Sequence, residues 1–283
     1  MSRQTRSLRS SGYPIIRSSV AALLALLLCL PRSAPAWPVR PARELTRRAV
    51  ASLPPEPVDG TFRFVVMGDN RGNYEVLREL IVSANREQPA FMINTGDLVT
   101  RGGRKEYLRF LAVIRQSHVP YFTVLGNHDV GGDGLGTYRQ IFGDENYTFD
   151  YAGCRFIVLD NSRSRFPEER LRWLDQQLDT PLRKFVFLHK PPDVGNWRKP
   201  FDAAPWHENA LRFTELVGRR KVDRVFVGHI HAYGEKEIEG VRYVLSGGAG
   251  APLDPSPHAY FHYVLVTVSP AGIQDRVVRL RPL

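Results

Sequence analysis

The chain has 283 residues, 43% of them hydrophobic, and carries 39 Lys and Arg against 29 Asp and Glu, a formal charge of +10. That length and apolar content support a substantial buried core and exclude a disordered or fibrous polypeptide. Five basic residues, Arg3, Arg6, Arg9, Arg17 and Arg32, precede an expected cleavage point, and their removal halves the charge. With no basic stretch interleaved with aromatics either, no nucleic acid is expected as a partner.

In chain order, basic residues lead into the apolar run Val20 to Leu30 and then Ala34-Pro35-Ala36. This is the pattern of a signal peptide over residues 1–36, cut near Ala36. The run is shorter than the about 18 to 20 apolar residues that span a bilayer. The expectation is an exported chain, periplasmic or secreted, with no stable membrane span after cleavage. Cys29 follows the bulky Leu28 where lipidation would want a small residue, and its loss would leave Cys154 alone, with no internal disulfide. Residues 37–60 are rich in Pro and Arg and weakly periodic, which reads as a linker, either a tether or a loosely packed helix. The folded domain is expected over 61–283.

From there the pattern alternates. Apolar runs at Phe62 to Met67, Ala90 to Asn94 and Tyr121 to Leu125 predict strands, and Tyr74 to Arg86 and Lys105 to Ile114 predict helices between them. Strands alternating with helices imply a largely parallel sheet. A hairpin follows, Tyr147 to Tyr151 and Arg155 to Asp160 about Ala152-Gly153. Next come a helix over Glu168 to Leu178, a strand at Phe185 to Leu188, a helix near Glu208 to Val217 and a strand at Arg224 to Val227. The tail is strand after strand: Lys236 to Ile238, Arg242 to Leu245, Tyr263 to Val268 and Arg276 to Leu280. The expected fold class is α/β, two stacked mixed β-sheets flanked by helices, an αββα sandwich.

Polar residues sit just past the ends of these apolar runs: Asp69, Asp97, Asn127, His189 and His229. Open α/β sheets place their sites at that edge of the strands. Carboxylates and neutral imidazoles suit hard or borderline cations, and one carboxylate can bridge two ions. His229 and His231 are two apart, so on extended chain they project to one side. Two ions about 3.5 to 4 Å apart can clamp a phosphoryl oxygen and activate water.

The ordered string Asp69-Asn70-Arg71, Gly96-Asp97, Gly126-Asn127-His128-Asp129, His189 and Gly228-His229-Ile230-His231 resembles the calcineurin-like metallophosphoesterase superfamily. The resemblance spans about Phe62 to Ala251, and it implies the metallophosphoesterase-like form of the sandwich. It further implies a metal-dependent phosphoric ester hydrolase acting on a phosphomonoester or phosphodiester, in a small molecule or a phosphorylated substrate. One or two divalent or trivalent ions (Mn, Fe or Zn) are implied as cofactors. Asp97 would bridge, Asn127, His189 and His229 would complete one site, Asp69 and His231 would serve the other, and His128 would protonate the leaving oxygen. Gly96 to Gly102 also resembles the extended second motif of the protein phosphatases, which makes Arg101 a phosphate-binding candidate beside Arg71 and Asn127.

Two positions depart from the family pattern. Arg71 stands where the first motif has a histidine, and a guanidinium that stays protonated cannot ligate a cation. Water, Asn73, His207 or His258 are open as replacements. Arg71 itself is open between a phosphate contact and a salt bridge to a ligand carboxylate, and so is Arg101. Thr100 replaces the aspartate that orients the catalytic histidine in the protein phosphatases, leaving Asp129 or a backbone carbonyl for that task. The alternative function is a catalytically weakened binding module with a mononuclear or empty metal site. Pocket walls are expected from Val130 to Tyr138, Ser162 to Pro167 and Pro191 to Pro205, the last with Trp197 and Trp206 near it.

Overall fold

The structure, a computed structural model, describes residues 44–164, 166–192 and 206–280. The expected signal peptide, Trp197 and most of the 191–205 segment lie outside them, as do the side chains of Trp206 and His207. Among the described residues, no helix is long and apolar enough to cross a membrane.

Two sheets carry the architecture. The first has strand order β11-β10-β1-β2-β3, with β1 Phe62–Met67, β2 Phe91–Asn94, β3 Tyr121–Thr123, β10 His262–Ser269 and β11 Gly272–Arg279. The second has order β4-β5-β6-β7-β9-β8, with β4 Tyr147–Tyr151, β5 Cys154–Val158, β6 Arg183–Phe187, β7 Arg224–Val227, β8 Tyr233–Ile238 and β9 Val241–Ser246. The strands β1, β2 and β3 run parallel, as do β5, β6, β7 and β9, and antiparallel strands close every edge but the one formed by β3. The sandwich of two mixed sheets with flanking helices is therefore the fold expected from the alternation.

Three apolar layers hold it together. Between the sheets lies a phenylalanine-rich core of Phe62, Phe64, Phe91, Phe122, Phe149, Phe156, Phe185, Phe187 and Phe226. Rings on paired strands stack within a sheet: Phe156 and Phe185 lie 5.2 Å apart at 8°, and Phe187 and Phe226 5.1 Å apart at 12°. Several rings facing across the sheets meet edge to face, Phe64 with Phe156 at 5.5 Å and 85° and Phe91 with Phe156 at 5.0 Å and 84°, while Phe122 stacks across on Phe149 at 4.2 Å and 10°. Each such pair contributes about 0.5–1.5 kcal/mol beyond the area it buries, and the alternation fixes how the sheets lie on one another.

Helices cover the outer faces. Against the first sheet pack Leu77, Leu80, Ile81 and Ala84 of α2 (Tyr74–Asn85), Tyr107, Phe110 and Val113 of α3 (Arg104–Ile114), and Tyr138 and Ile141 of α4 (Gly134–Ile141). Against the second pack Leu171, Leu174 and Leu178 of α5 (Glu168–Leu178) and Phe213, Leu216 and Val217 of α6 (Trp206–Arg219). Each set repeats at three or four residues, the spacing of one helical face.

Two helices bear on the sequence reading, the first on the helical option left open for residues 37–60 and the second against an expected loop. Within the expected linker, α1 (Leu45–Ala51) packs Leu45, Ala49 and Val50 on the cores. Beyond it Glu56 accepts the Ala152 N–H at 3.1 Å. The described part of the linker is thus bound to the domain, and the compact unit spans Pro41–Leu283. The second is α4, which replaces most of the Val130 to Tyr138 loop. Its Gly134 and Gly136 disfavour a helix, but burial of Gly134, Thr137, Tyr138 and Ile141 compensates.

His262 on β10 is fully buried, with Nδ1 on the Tyr260 carbonyl at 2.8 Å and Nε2 3.3 Å from Ser246 Oγ. Burial pushes its imidazole down from 6.5 to about 4. The native state therefore resists a proton that the unfolded chain takes up at 6.5, so stability is full above that pH and falls as pH drops toward 4. The loss amounts to about 3 kcal/mol at the limit. In denaturant titrations between pH 7 and 4, His262→Gln should lose correspondingly less stability than the parent protein, and equal acid losses would contradict this reading.

Candidate metal centre

All five polar motifs lie at one rim, as the strand ends implied. Asp69 follows β1, Asp97 follows β2, and Asn127 and His128 follow β3, all from the first sheet. His189 follows β6, and His229 and His231 follow β7, from the second. Asp69 and His189 are fully buried, Asp97 is 1% exposed and His231 6%.

The turns that carry them are strained. Asp69, Arg71, Asp97 and His229 have φ of 63°, 39°, 55° and 71°, the left-handed region that non-glycine residues avoid. Polar ties hold them there. Both Asp69 carboxylate oxygens accept the His229 N–H at 2.9 Å, joining the two sheets. The Asp97 Oδ1 accepts the His128 N–H at 2.9 Å. A Cβ at Gly126 would fall 2.1 Å from Asp97 N, so only glycine allows this approach.

Tautomers follow from the backbone. The Nδ1 atoms of His189, His231 and His128 face the carbonyls of Thr95, Pro252 and Thr100 at 2.9, 2.7 and 2.9 Å. A carbonyl only accepts, so each Nδ1 carries the hydrogen and each Nε2 presents a lone pair to the rim. The His189 Nε2 lies 3.0 Å from Asn127 Oδ1, 3.2 Å from His229 Nδ1 and 3.4 Å from Asp97 Oδ1. A single proton could bridge one of these pairs; a cation serves them all.

Charge states agree with this. Burial, ahead of the opposing pull of Asp97, pushes the His189 imidazole down to about 3, so it stays neutral and able to ligate. Burial works against ionisation of Asp97, but the imidazoles of His189, His128 and His229 and the His128 N–H outweigh it and hold the carboxyl below its ordinary value. Asp129, by contrast, is raised by its burial and by the nearby Asp97 charge.

Among the described residues two groups could each hold an ion: Asp97, His189 and His229 form one, and Asp69, Asp97 and His231 the other. They share Asp97. Asn127 stands beside the first group through its contact with His189. Of the replacements left open by the sequence, two can be judged among the described residues, Asn73 and His258, and neither joins the second group. Asn73 caps α2, with Oδ1 accepting the Val76 N–H at 3.3 Å and Nδ2 donating to Gly250 O at 2.9 Å. His258 is exposed, and the His207 side chain lies outside the described residues.

Arg71 makes no ion pair among the described residues, and its buried Nε has no hydrogen-bond partner there. A salt bridge to a ligand carboxylate is therefore not its role in this state. Arg101 is exposed and likewise without an ion pair among the described residues. His128 is oriented by the Thr100 carbonyl, the backbone option of the two left open. Asp129 instead anchors the loop, accepting the Gly126 and Val99 N–H groups at 2.7 and 3.0 Å.

Sequence reasoning passed over several supports. Asn161 Oδ1 accepts the N–H groups of His189 and Lys190 at 3.1 and 3.0 Å. It lies three residues past β5, the same strand-end placement that marks the other residues, so that signal was present. Thr95 acts through its carbonyl, which leaves no mark in sequence.

A profile described as calcineurin-like phosphoesterase matches residues 62–233. A glycerophosphodiester phosphodiesterase of Enterobacter lignolyticus is 30% identical over 180 residues, 57% of this chain and 62% of that protein. A probable glycerophosphodiester phosphodiesterase of Arcobacter nitrofigilis is 28% identical over 159 residues, 52% of this chain and 58% of its own length. The chain thus spans less than two thirds of either relative. A purple acid phosphatase from yellow lupin seeds aligns with a TM-score of 0.62 at 18% identity, over 79% of this chain and 53% of that one, a likeness of fold. Because the profile match takes in more than half of the chain and runs from β1 through both histidines of the last motif, the chain belongs to the calcineurin-like phosphoesterase family.

Proposed function

We propose that the protein is an exported metal-dependent hydrolase of phosphoesters, with phosphodiesters the preferred class. The observation that carries this is the pair of ligand groups sharing Asp97. The names of the relatives support the diester preference.

In this reading Asp97, Asn127, His189 and His229 hold one ion, and Asp69, Asp97 and His231 hold the other, with Mn, Fe or Zn as candidates. When bound, the ions supply positive charge for a phosphoester oxygen and acidify water. The residues do the rest. The Thr100 carbonyl holds His128 with Nε2 turned to the rim, 3.9 Å from Asp97 Oδ2. Its side chain is 30% exposed, so it can meet a substrate and, as the imidazolium with a second proton on Nε2, donate that proton to the leaving oxygen. Arg71 and Arg101, free of carboxylate partners among the described residues, contact the phosphate, whose two oxygens suit a guanidinium fork.

Purified protein loaded with Mn, Zn or Fe should hydrolyse bis(p-nitrophenyl) phosphate. Asp97→Asn should remove both ions and all turnover, whereas His128→Ala should keep the metals and lower kcat by about 10²- to 10⁴-fold. Absence of turnover with every metal would refute the hydrolase.

Arg71 favours a second reading, a binding module with one ion or none, and metal counting separates the two. The Asp69 and His231 group should bind its ion more weakly than the other. Arg71→His should tighten it by about 10- to 100-fold, a ligand's effect being at least as large as that of its supporting contacts, as read by metal titration. Export is checked by fractionation and N-terminal sequencing: the protein should be recovered outside the cytoplasm beginning at Trp37, and recovery from the cytoplasm alone with Met1 intact would refute it.

A further inference from the structure

The two departures from the family pattern touch each other. Arg71, at φ 39°, is fixed on both sides of its backbone by the segment that follows β2. Its N–H donates to Asp97 O at 2.9 Å, and its carbonyl accepts from Thr100 Oγ1 at 2.9 Å. The next residue, Gly72, has φ 79°, and a Cβ there would stand 2.8 Å from Thr100 Oγ1, so the hydroxyl is packed directly under the turn. The same Thr100 uses its carbonyl to hold His128 Nδ1 at 2.9 Å. One residue thus ties down the arginine whose Nε has no partner among the described residues and the histidine that faces the rim.

We propose that Thr100 is a positioning residue that holds Arg71 and His128 in a fixed relation, so that both address one phosphate group. The proposal rests on the phosphoester reading above. An aspartate at this position could orient His128 through its carboxylate, but it has no hydroxyl to donate to the Arg71 carbonyl. Threonine separates the two tasks, hydroxyl for the arginine and carbonyl for the histidine. Without the hydroxyl, the Arg71 carbonyl loses its partner and its left-handed turn loses one of two ties. The guanidinium then samples other positions, and phosphate binding weakens while His128 keeps its carbonyl.

The test uses metal-loaded full-length protein, with inorganic phosphate as the probe in calorimetry and bis(p-nitrophenyl) phosphate as substrate. Thr100→Val should weaken phosphate binding and raise KM by about 5- to 10-fold, the worth of one hydrogen bond, with a smaller fall in kcat. Metal content and the pH profile of kcat should not move. Thr100→Ser, which keeps the hydroxyl, should restore phosphate affinity. In an Arg71→Ala background, Thr100→Val should cost nothing further, because the two act as a unit. Three results overturn the proposal: unchanged phosphate affinity in Thr100→Val, no rescue by Thr100→Ser, or an undiminished effect when Arg71 is already gone. Should Thr100→Val not fold, Arg71→Ala and Arg71→Ala with Thr100→Ser must bind phosphate equally weakly, and a difference between them overturns it. A parent protein that binds phosphate but turns over no phosphoester strikes the hydrolase reading alone, and the phosphate comparison between variants then still decides for or against Thr100.

Discussion

Everything at the rim is arranged around the Asp97 carboxylate and the lone pairs that converge on it. Backbone carbonyls fix the hydrogens of the neutral His189 and His231 rings on their outward nitrogens, so the inward ones can only donate electrons. Gathering such groups without a cation is costly, since each has given up water and none can satisfy its neighbours. The fold makes the assembly possible by bringing the parallel strands of two sheets to a common edge. Neither sheet alone owns either candidate ion group: Asp97 comes from the first and His189 and His229 from the second, and Asp69 from the first joins His231 from the second.

The interior answers that demand with rigidity. A slab of phenylalanine rings in mixed stacked and edge-to-face contacts, within and between the sheets, leaves little freedom for one sheet to slide over the other. The registration of the rim is set by this slab and sealed by the Asp69 contact to the His229 N–H. Left-handed backbone at Asp69, Asp97 and His229 is tolerable because the sheets beneath are so well fixed.

Much of this was written in the sequence. The strands β1, β4 and β7 and the helix α5 have the very bounds read from the hydrophobic pattern, because buried strands and a three-to-four-residue helical face leave strong periodic marks. The helix α1 was legible only as one of two options for residues 37–60, because it is short and has Pro and Arg around it. The helix α4 was obscured by two glycines, although Thr137, Tyr138 and Ile141 carried a helical spacing. The ligand-type residues were legible as polar groups past strand ends. What could not be read is whatever depends on the main chain: which carbonyl faces which imidazole, and that Arg71 leaves the neighbouring carboxylates alone. Such facts arise from the turns, and no side-chain identity encodes them.

The contact between Asp69 and His229 spans 160 residues of sequence. A nascent or truncated chain therefore cannot assemble either ligand group, however many aspartates and histidines it exposes. In the proposed reading, capture of metal becomes a certificate of completed folding, issued only when the second sheet has closed on the first. Ions held there as proposed would add their binding free energy to the native state alone, fastening the protein at the seam where its two halves would otherwise begin to part.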